Sequence, residues 1–159
     1  VGITTYGNQG NDTQDQIEAA GVKFGSWNVD LSKLDAAGIE DLLSKVEAEL
    51  GPVDILVNNA GVFTLGGTEA LALDDLDRML AVNVRSVFVA SQEAARHMNE
   101  GGRIIHIGST NAERVPFGGA AVYAMSKSAL VGLTKGMARD LGRQILRGVL
   151  GSITGGRKK

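Results

Sequence analysis

The stretch Val53–Gly61, VDILVNNAG, decides how the rest of the chain is read. Gly51 and Pro52 interrupt the helical pattern ahead of it. The run VDILV is short, aliphatic and non-alternating, the habit of a strand covered on both faces in a parallel sheet. Two asparagines, an alanine and a glycine follow at once. They put two amide side chains and a residue without a Cβ at the carboxyl end of a strand, where open α/β sheets bind ligands. Small residues there permit close approach.

Working outward, the same alternation of elements repeats. Upstream, Val1–Tyr6 (VGITTY) predicts a strand, Thr13–Ala20 a helix ended by Gly21, and Lys23–Val29 a second strand. Ser32 with Asp35 three residues on predicts the cap of a helix running through Leu50. Ile39, Leu42, Leu43, Val46 and Leu50 form its apolar stripe. Downstream, a long helical stretch spans Leu73–Met98, RIIHI at Arg103–Ile107 predicts a strand, and Tyr123–Leu141 the last clear helix. Parallel strands need crossovers, usually helical, so the class is α/β: a Rossmann-like, doubly wound parallel sheet with helices on both faces. No linker, low-complexity tract or internal repeat interrupts it.

Composition narrows the functional classes. With 159 residues, 43% of them apolar and 21% charged, the chain has the balance of an ordinary globular domain. The 0 cysteines remove disulfides and thiolate metal sites, and fit a reducing cytoplasm. No apolar run reaches the roughly 18 residues of a membrane span, so no membrane partner is expected. Arg143, Arg147, Arg157, Lys158 and Lys159 fall in residues 143–159, which contain no acid. Without interleaved aromatics this basic tail is poor support for nucleic-acid binding. His97 and His106 show no ligand spacing with each other or with a carboxylate cluster, so no metal site is expected. Met125 and Met137 fall on the last helix and read as core or subunit packing.

Tyr123 and Lys127 stand four apart in VYAMSKSAL, so their side chains leave one face of a helix. A phenol ionises near pH 10, and forming phenolate at neutral pH costs about 4 kcal/mol. A neighbouring ammonium favours the charged form, so the pair suits general acid or base work. Alone, the spacing far more often describes a packed tyrosine and a solvated lysine. Ser109, just beyond the strand RIIHI and fourteen positions before Tyr123, supplies a hydroxyl able to bond a carbonyl oxygen. Asn83 lies inside the long helix, in AVNVRS, either as a functional amide or as a polar residue that kinks it.

Asn-Asn-Ala-Gly at a strand end, a strand-end serine and Tyr-x-x-x-Lys, in that order, resemble the short-chain dehydrogenase/reductase family over Val1–Gly142. Within it the chain is most similar to 3-oxoacyl-[acyl-carrier-protein] reductase-like members. The resemblance implies that Tyr123 gives a proton to the substrate carbonyl and that Ser109 holds that oxygen. Lys127 would bind the nicotinamide ribose and favour the phenolate, and Asn83 would position a water for proton relay. It implies cofactor contacts at Asp30, Asn58, Ala60 and Gly61 besides Tyr123 and Lys127; Asp30 would touch the adenine, its alternative role being a helix cap. It also implies a homodimer or homotetramer of the intact protein, with Ala124, Gly132, Gly136 and Ala138 on a subunit face. Thr5, Tyr6, Gly7, Asn8 and Gln9 end the first visible strand without a carboxylate, which favours NADP, with NAD the alternative. No arginine appears in that stretch.

The chain departs from the family at both ends. The family's first strand and Gly-rich phosphate loop are absent, and in the order 3-2-1-4-5-6 that strand joins the two halves of the sheet. The visible strands should then fail to pair across the centre. Residues 143–159 lack the family's Pro-Gly turn, which puts the last strands in doubt and divides the chain into a partial domain, 1–142, and a basic divergent tail. The leading functional expectation is an NADP-dependent ketoreductase or alcohol dehydrogenase acting on a small carbonyl or alcohol, such as a 3-oxoacyl thioester. The alternative is a catalytically inactive relative or fragment that binds a nucleotide or partner. A sugar-nucleotide epimerase shares Tyr-x-x-x-Lys, but Asn-Asn-Ala-Gly argues against it.

Overall fold

The computed structural model describes residues 1–7, 11–142 and 145–150, the last segment by its backbone. In chain order it forms β1 (Gly2–Thr5), α1 (Asn11–Ala19), β2 (Gly25–Asn28), α2 (Ala36–Leu50) and β3 (Ile55–Asn58). Next come α3 (Leu73–Leu80), a π-helical segment (Ala81–Arg85), α4 (Ser86–His97), β4 (Gly102–Ile107), a 3-10 turn (Thr110–Ala112), α5 (Ala121–Asp140) and β5 (Ile145–Leu150). Every strand pair is parallel, as the alternation of strands and helices required.

The strands divide into two sheets, β1–β2 and β3–β4–β5. This is the break expected of a doubly wound sheet without its joining strand. It also corrects one expectation. Ile55 and Val57 are 59% and 49% exposed, so VDILV is not covered on both faces. Leu56 and Asn58, on the other face, are half-buried. β3 is an edge strand among the described residues, and its aliphatic composition suits a more central position than it holds here.

Two other differences concern boundaries. Ser32 does not begin α2; its hydroxyl and amide are drawn back to Asp30, and Asp35 caps the helix by accepting from the Gly38 N–H at 2.9 Å. The doubted strand after Gly142 is present: β5 runs beside β4 in register from Gly102↔Ile145 to Ile107↔Leu150. The missing Pro-Gly turn concerns the chain beyond that strand, whereas ILRGVL itself has the aliphatic content of one. Residues 143–144 and 151–159, the rest of the expected tail, lie outside the described residues, as do Asn8 and Gln9.

The core gathers where α4 and α5 pack on β4: Met79, Val87, Ala94, Ile104, Leu130 and Met137 are all buried. Met125, in contrast, is 49% exposed. A polar thread crosses this core. The Ser91 hydroxyl lies 3.1 Å from His106 Nε2, and His106 Nδ1 lies 2.8 Å from Thr134 Oγ1, joining α4, β4 and α5. In the smaller sheet the Trp27 ring lies over Gly2 and Gly25, paired neighbours on β1 and β2; a Cβ would collide with it at Gly25 and crowd it at Gly2.

Candidate active site

α5 starts beside the carboxyl end of β4 and carries Tyr123 and Lys127 one turn apart. Lys127 is 5% exposed, with its Nζ 6.0 Å from the Tyr123 ring centroid. Its ammonium donates to the Ile107 carbonyl at 2.9 Å, the last residue of β4. Burial pushes the Lys127 ammonium below the ordinary lysine range, because the protein replaces water around the charge with a single carbonyl.

Two residues beyond Ile107, Ser109 stands half-buried in an extended conformation and caps the 3-10 turn, accepting from the Asn111 N–H at 3.1 Å. That turn is pinned to α5 by the Ser128 hydroxyl, which donates to the Ala112 carbonyl at 2.7 Å. Ser109, Tyr123 and Lys127 therefore share one region, the junction of β4 with the first turns of α5.

Asn83 is fully buried and sits in the π-helical segment, where the extra residue of the wider turn shifts the face that meets α5. Its Oδ1 accepts from the Val62 N–H at 2.8 Å, and its Nδ2 donates to the Val62 carbonyl at 2.9 Å and to Ser126 Oγ at 3.0 Å. The Ser126 hydroxyl in turn donates to the Tyr123 carbonyl at 2.7 Å. Both amide hydrogens of Asn83 are thus engaged: the side chain clamps the segment after β3 onto the tyrosine helix.

Neither Val62 nor Ser126 stood out in the sequence. They lie 21 and 43 positions from Asn83, and only Ser126, on the face between Tyr123 and Lys127, had a local signal.

The clamped segment shapes the site. A Cβ on Gly61 would stand 3.4 Å from Asn83 Oδ1 and 3.5 Å from Lys127 Nζ, so glycine keeps a lane open beside both groups. Phe63 meets the Tyr123 ring edge-on, centroids 4.6 Å apart and planes at 81°. Further on, the Gly66 N–H donates to the Gly119 carbonyl at 3.0 Å, tying this segment to the approach of α5. Gly119 has φ 80°, a conformation a side chain would strain.

A cleft of about 420 Å³ opens at the carboxyl ends of β1, β2 and β3. Thr5, Tyr6, Asp30, Asn59, Ala60 and Gly61 line it, with Arg78 and Val82 reaching in from the long helical stretch. Asp30 is ordered there: one carboxylate oxygen accepts from the Ser32 N–H and hydroxyl at 3.1 and 2.6 Å, the other lies 3.3 Å from Lys33 Nζ. The Ser32 hydroxyl, opposed by partial loss of water and aided by the Ser32 amide and Lys33, holds the Asp30 carboxyl below its ordinary range. It is not the cap of α2, a role Asp35 fills.

Asn58 has a partner that the sequence did not show. It is not among the cleft residues; its Nδ2 donates to Ser91 Oγ at 3.1 Å and braces β3 against α4. Of the expected cofactor contacts, Asp30, Ala60 and Gly61 line the cleft, and Lys127 lies beside Gly61 with Tyr123 one turn before it on α5. Among the described residues, no three His, Cys, Asp or Glu side chains stand close enough to share a metal ion. His97 lies 3.4 Å from Glu47.

A model described as short chain dehydrogenase matches residues 1–149. A short-chain dehydrogenase/reductase from Serratia marcescens BCRC 10948 is 65% identical, with TM-score 0.83, over 94% of this chain and 61% of its own. A short chain dehydrogenase from Burkholderia cenocepacia J2315, solved in complex with NADP, is 45% identical, with TM-score 0.86, over the same shares. A cyclic-di-GMP-binding biofilm dispersal mediator protein from Escherichia coli K12 is 49% identical over 64% of this chain and 43% of its own. The chain spans about half the length of the curated relatives it matches, from 43% to 57% for the first three.

Proposed function

The chain belongs to the short chain dehydrogenases, and from that premise we propose that the protein is an NADP-dependent oxidoreductase acting between a carbonyl and a hydroxyl substrate. The observation that carries this reading is the buried ammonium of Lys127, anchored at the end of β4 between Tyr123 and the turn that Ser109 caps.

The cleft fits the adenosine end of a dinucleotide: an ordered carboxylate at Asp30, small residues at Ala60 and Gly61, and no acid at Thr5, Tyr6 or Gly7 to repel a 2′-phosphate. A neighbour at 45% identity holds NADP. When bound, the nicotinamide supplies or accepts the hydride. Lys127, just past the Gly61 lane, would meet the nicotinamide ribose. Tyr123 gives its phenolic proton to the substrate oxygen as the carbonyl is reduced, and takes it back in the reverse direction. Ser109 donates a hydrogen bond to the same oxygen and steadies its developing charge. Asn83 serves proton relay by holding Val62 and the tyrosine helix in register, and Asn58 steadies the cofactor side by fixing the end of β3. Phe63, against the tyrosine ring, offers an apolar wall to the substrate, which we take to be a small ketone or a 3-oxoacyl thioester.

The intact protein would work in the cytoplasm as a homodimer or homotetramer through the exposed face of α5 that includes Gly132 and Gly136. No helix among the described residues is long and apolar enough to cross a membrane. Residues 1–142 together with β5 would form the catalytic unit, and the rest of 143–159 a basic ending.

The test is NADPH consumption over a panel of ketones by this chain and by its Tyr123→Phe variant. The variant should lose roughly 10²- to 10⁴-fold in rate with an unchanged melting temperature. Full activity in the variant would refute the assignment, and binding of NADPH without turnover in either protein would identify a nucleotide-binding module instead.

A further inference from the structure

Arg78 is the cation that the fold brings to the cleft from a distant part of the chain. It sits in α3, four residues before Val82, and both line the cleft with the end of β1 and with Asp30. Its guanidinium has no hydrogen-bond or ion-pair partner among the described residues. Lys33 is committed to Asp30. The first-turn acids of α3, Asp74 and Asp75, are not among the cleft residues, and neither pairs with Arg78.

The end of β1 offers Thr5 and Tyr6, with hydroxyls and a backbone but no positive charge. A 2′-phosphate placed there would find hydrogen-bond donors and lack a counterion, and it would face the Asp30 carboxylate across the cleft. An unpartnered arginine on the same cleft supplies what is missing: a planar fork of donors matched to a phosphate's oxygens.

We propose that Arg78 is a specificity-determining residue that selects the 2′-phosphorylated cofactor by pairing with its adenosine phosphate. The inference rests on the reading of the cleft as the adenosine site. It assigns the preference for NADP to an arginine from α3, outside the strand end where such a residue is ordinarily sought. Because the guanidinium is exposed, the pairing is sensitive to salt.

Two small probes isolate the adenosine end: 2′,5′-ADP, which carries the 2′-phosphate, and 5′-AMP, which does not. Each is titrated by calorimetry against the full chain and against Arg78→Gln. The wild-type chain should bind 2′,5′-ADP more tightly, with the steeper loss on adding salt. Arg78→Gln should weaken 2′,5′-ADP by about tenfold or more, the scale of one charge-assisted contact, and change 5′-AMP by less than about twofold. Arg78→Lys, which keeps the charge and leaves the exposed surface nearly unchanged, should retain part of the preference. Equal weakening of both probes by Arg78→Gln would make the side chain an adenine-stacking or structural group and overturn the proposal, as would no change in either. Failure of the wild-type chain to bind either probe would overturn the adenosine-site reading itself, a result distinct from an unchanged ratio in the variant.

Discussion

The two sheets of this molecule are built to different standards. In β4, Gly102, Ile104 and His106 are all buried, between β3 and β5 and beneath α4 and α5. In β1 every residue is exposed or half-buried, and in β2 only Gly25 is buried. The polar groups follow the same division. Asn83, Ser126, Ser91, His106, Thr134 and Lys127 are buried and bonded around β4 and α5. The polar contacts of the β1–β2 side, such as Asp30 with Ser32 and Lys33, are only part-buried, and Lys33 is largely exposed. Bond-making chemistry needs groups held to a fraction of an ångström, and that rigidity comes from packed, fully satisfied neighbours. A nucleotide cleft can be closed partly by the nucleotide.

The largest contrast lies within the larger sheet, between its buried strand β4 and its exposed edge strand β3, and truncating one isoleucine in each sharpens it. Ile104→Ala, at a site 2% exposed, should lower stability by about 2–5 kcal/mol through lost burial and a residual cavity. Ile55→Ala, at a site 59% exposed, should stay within about 0.5 kcal/mol. Urea unfolding of both variants checks this, and similar losses would mean that β3 is buried in solution.

A second variant probes the buried amide that holds the site together. Asn83→Ala leaves the Val62 N–H and carbonyl and the Ser126 hydroxyl without their partner. The expected loss is about 2–3 kcal/mol of stability, with a fall in ketone reduction larger than the fall in NADPH affinity. Unchanged stability would show that these bonds are replaced by water and that the clamp is incidental.

The smallest effect on stability belongs to Lys127. With its folded-state pKa below the unfolded value of 10.5, the native chain binds fewer protons than the unfolded chain between the two. Stability should therefore rise with pH through that window, from the lowered value up to 10.5. Lys127→Met should flatten the rise while reducing turnover by about a hundredfold or more, since the buried charge is gone and the ribose and phenol lose their cation. A pH series of melting temperatures for both proteins measures it; an identical slope in the variant would assign the rise to other groups.

How much of this was legible in the sequence depended on how far each residue's partner lies along the chain. Strands such as RIIHI and helices such as α5 declare themselves through local periodicity, and the order of elements pointed to the α/β class. The places of Ser109, Tyr123 and Lys127 in the fold were legible because strand end and helix start are themselves sequence features. The start of α2 was misread because Ser32 and Asp35 are both good caps, and only the fold shows that Asp30 has taken the serine. The π-helical segment leaves no trace in AVNVRS. The bond from Asn58 to Ser91 was not legible, because its partner lies 33 residues away. Arg78 carried no local signal at all, since only the fold brings it to the cleft that the ends of β1 and β2 line.

The central claim is that one phenol and one hydroxyl serve a single carbonyl oxygen, and a double-mutant cycle tests it most directly. Rates of ketone reduction are measured for the unaltered protein, Ser109→Ala, Tyr123→Phe and the double variant. If both groups act on one oxygen in one transition state, the double variant should be barely slower than Tyr123→Phe alone, because residues that act as a unit are not additive. Losses that multiply, or a Ser109→Ala variant with full activity, would contradict the account.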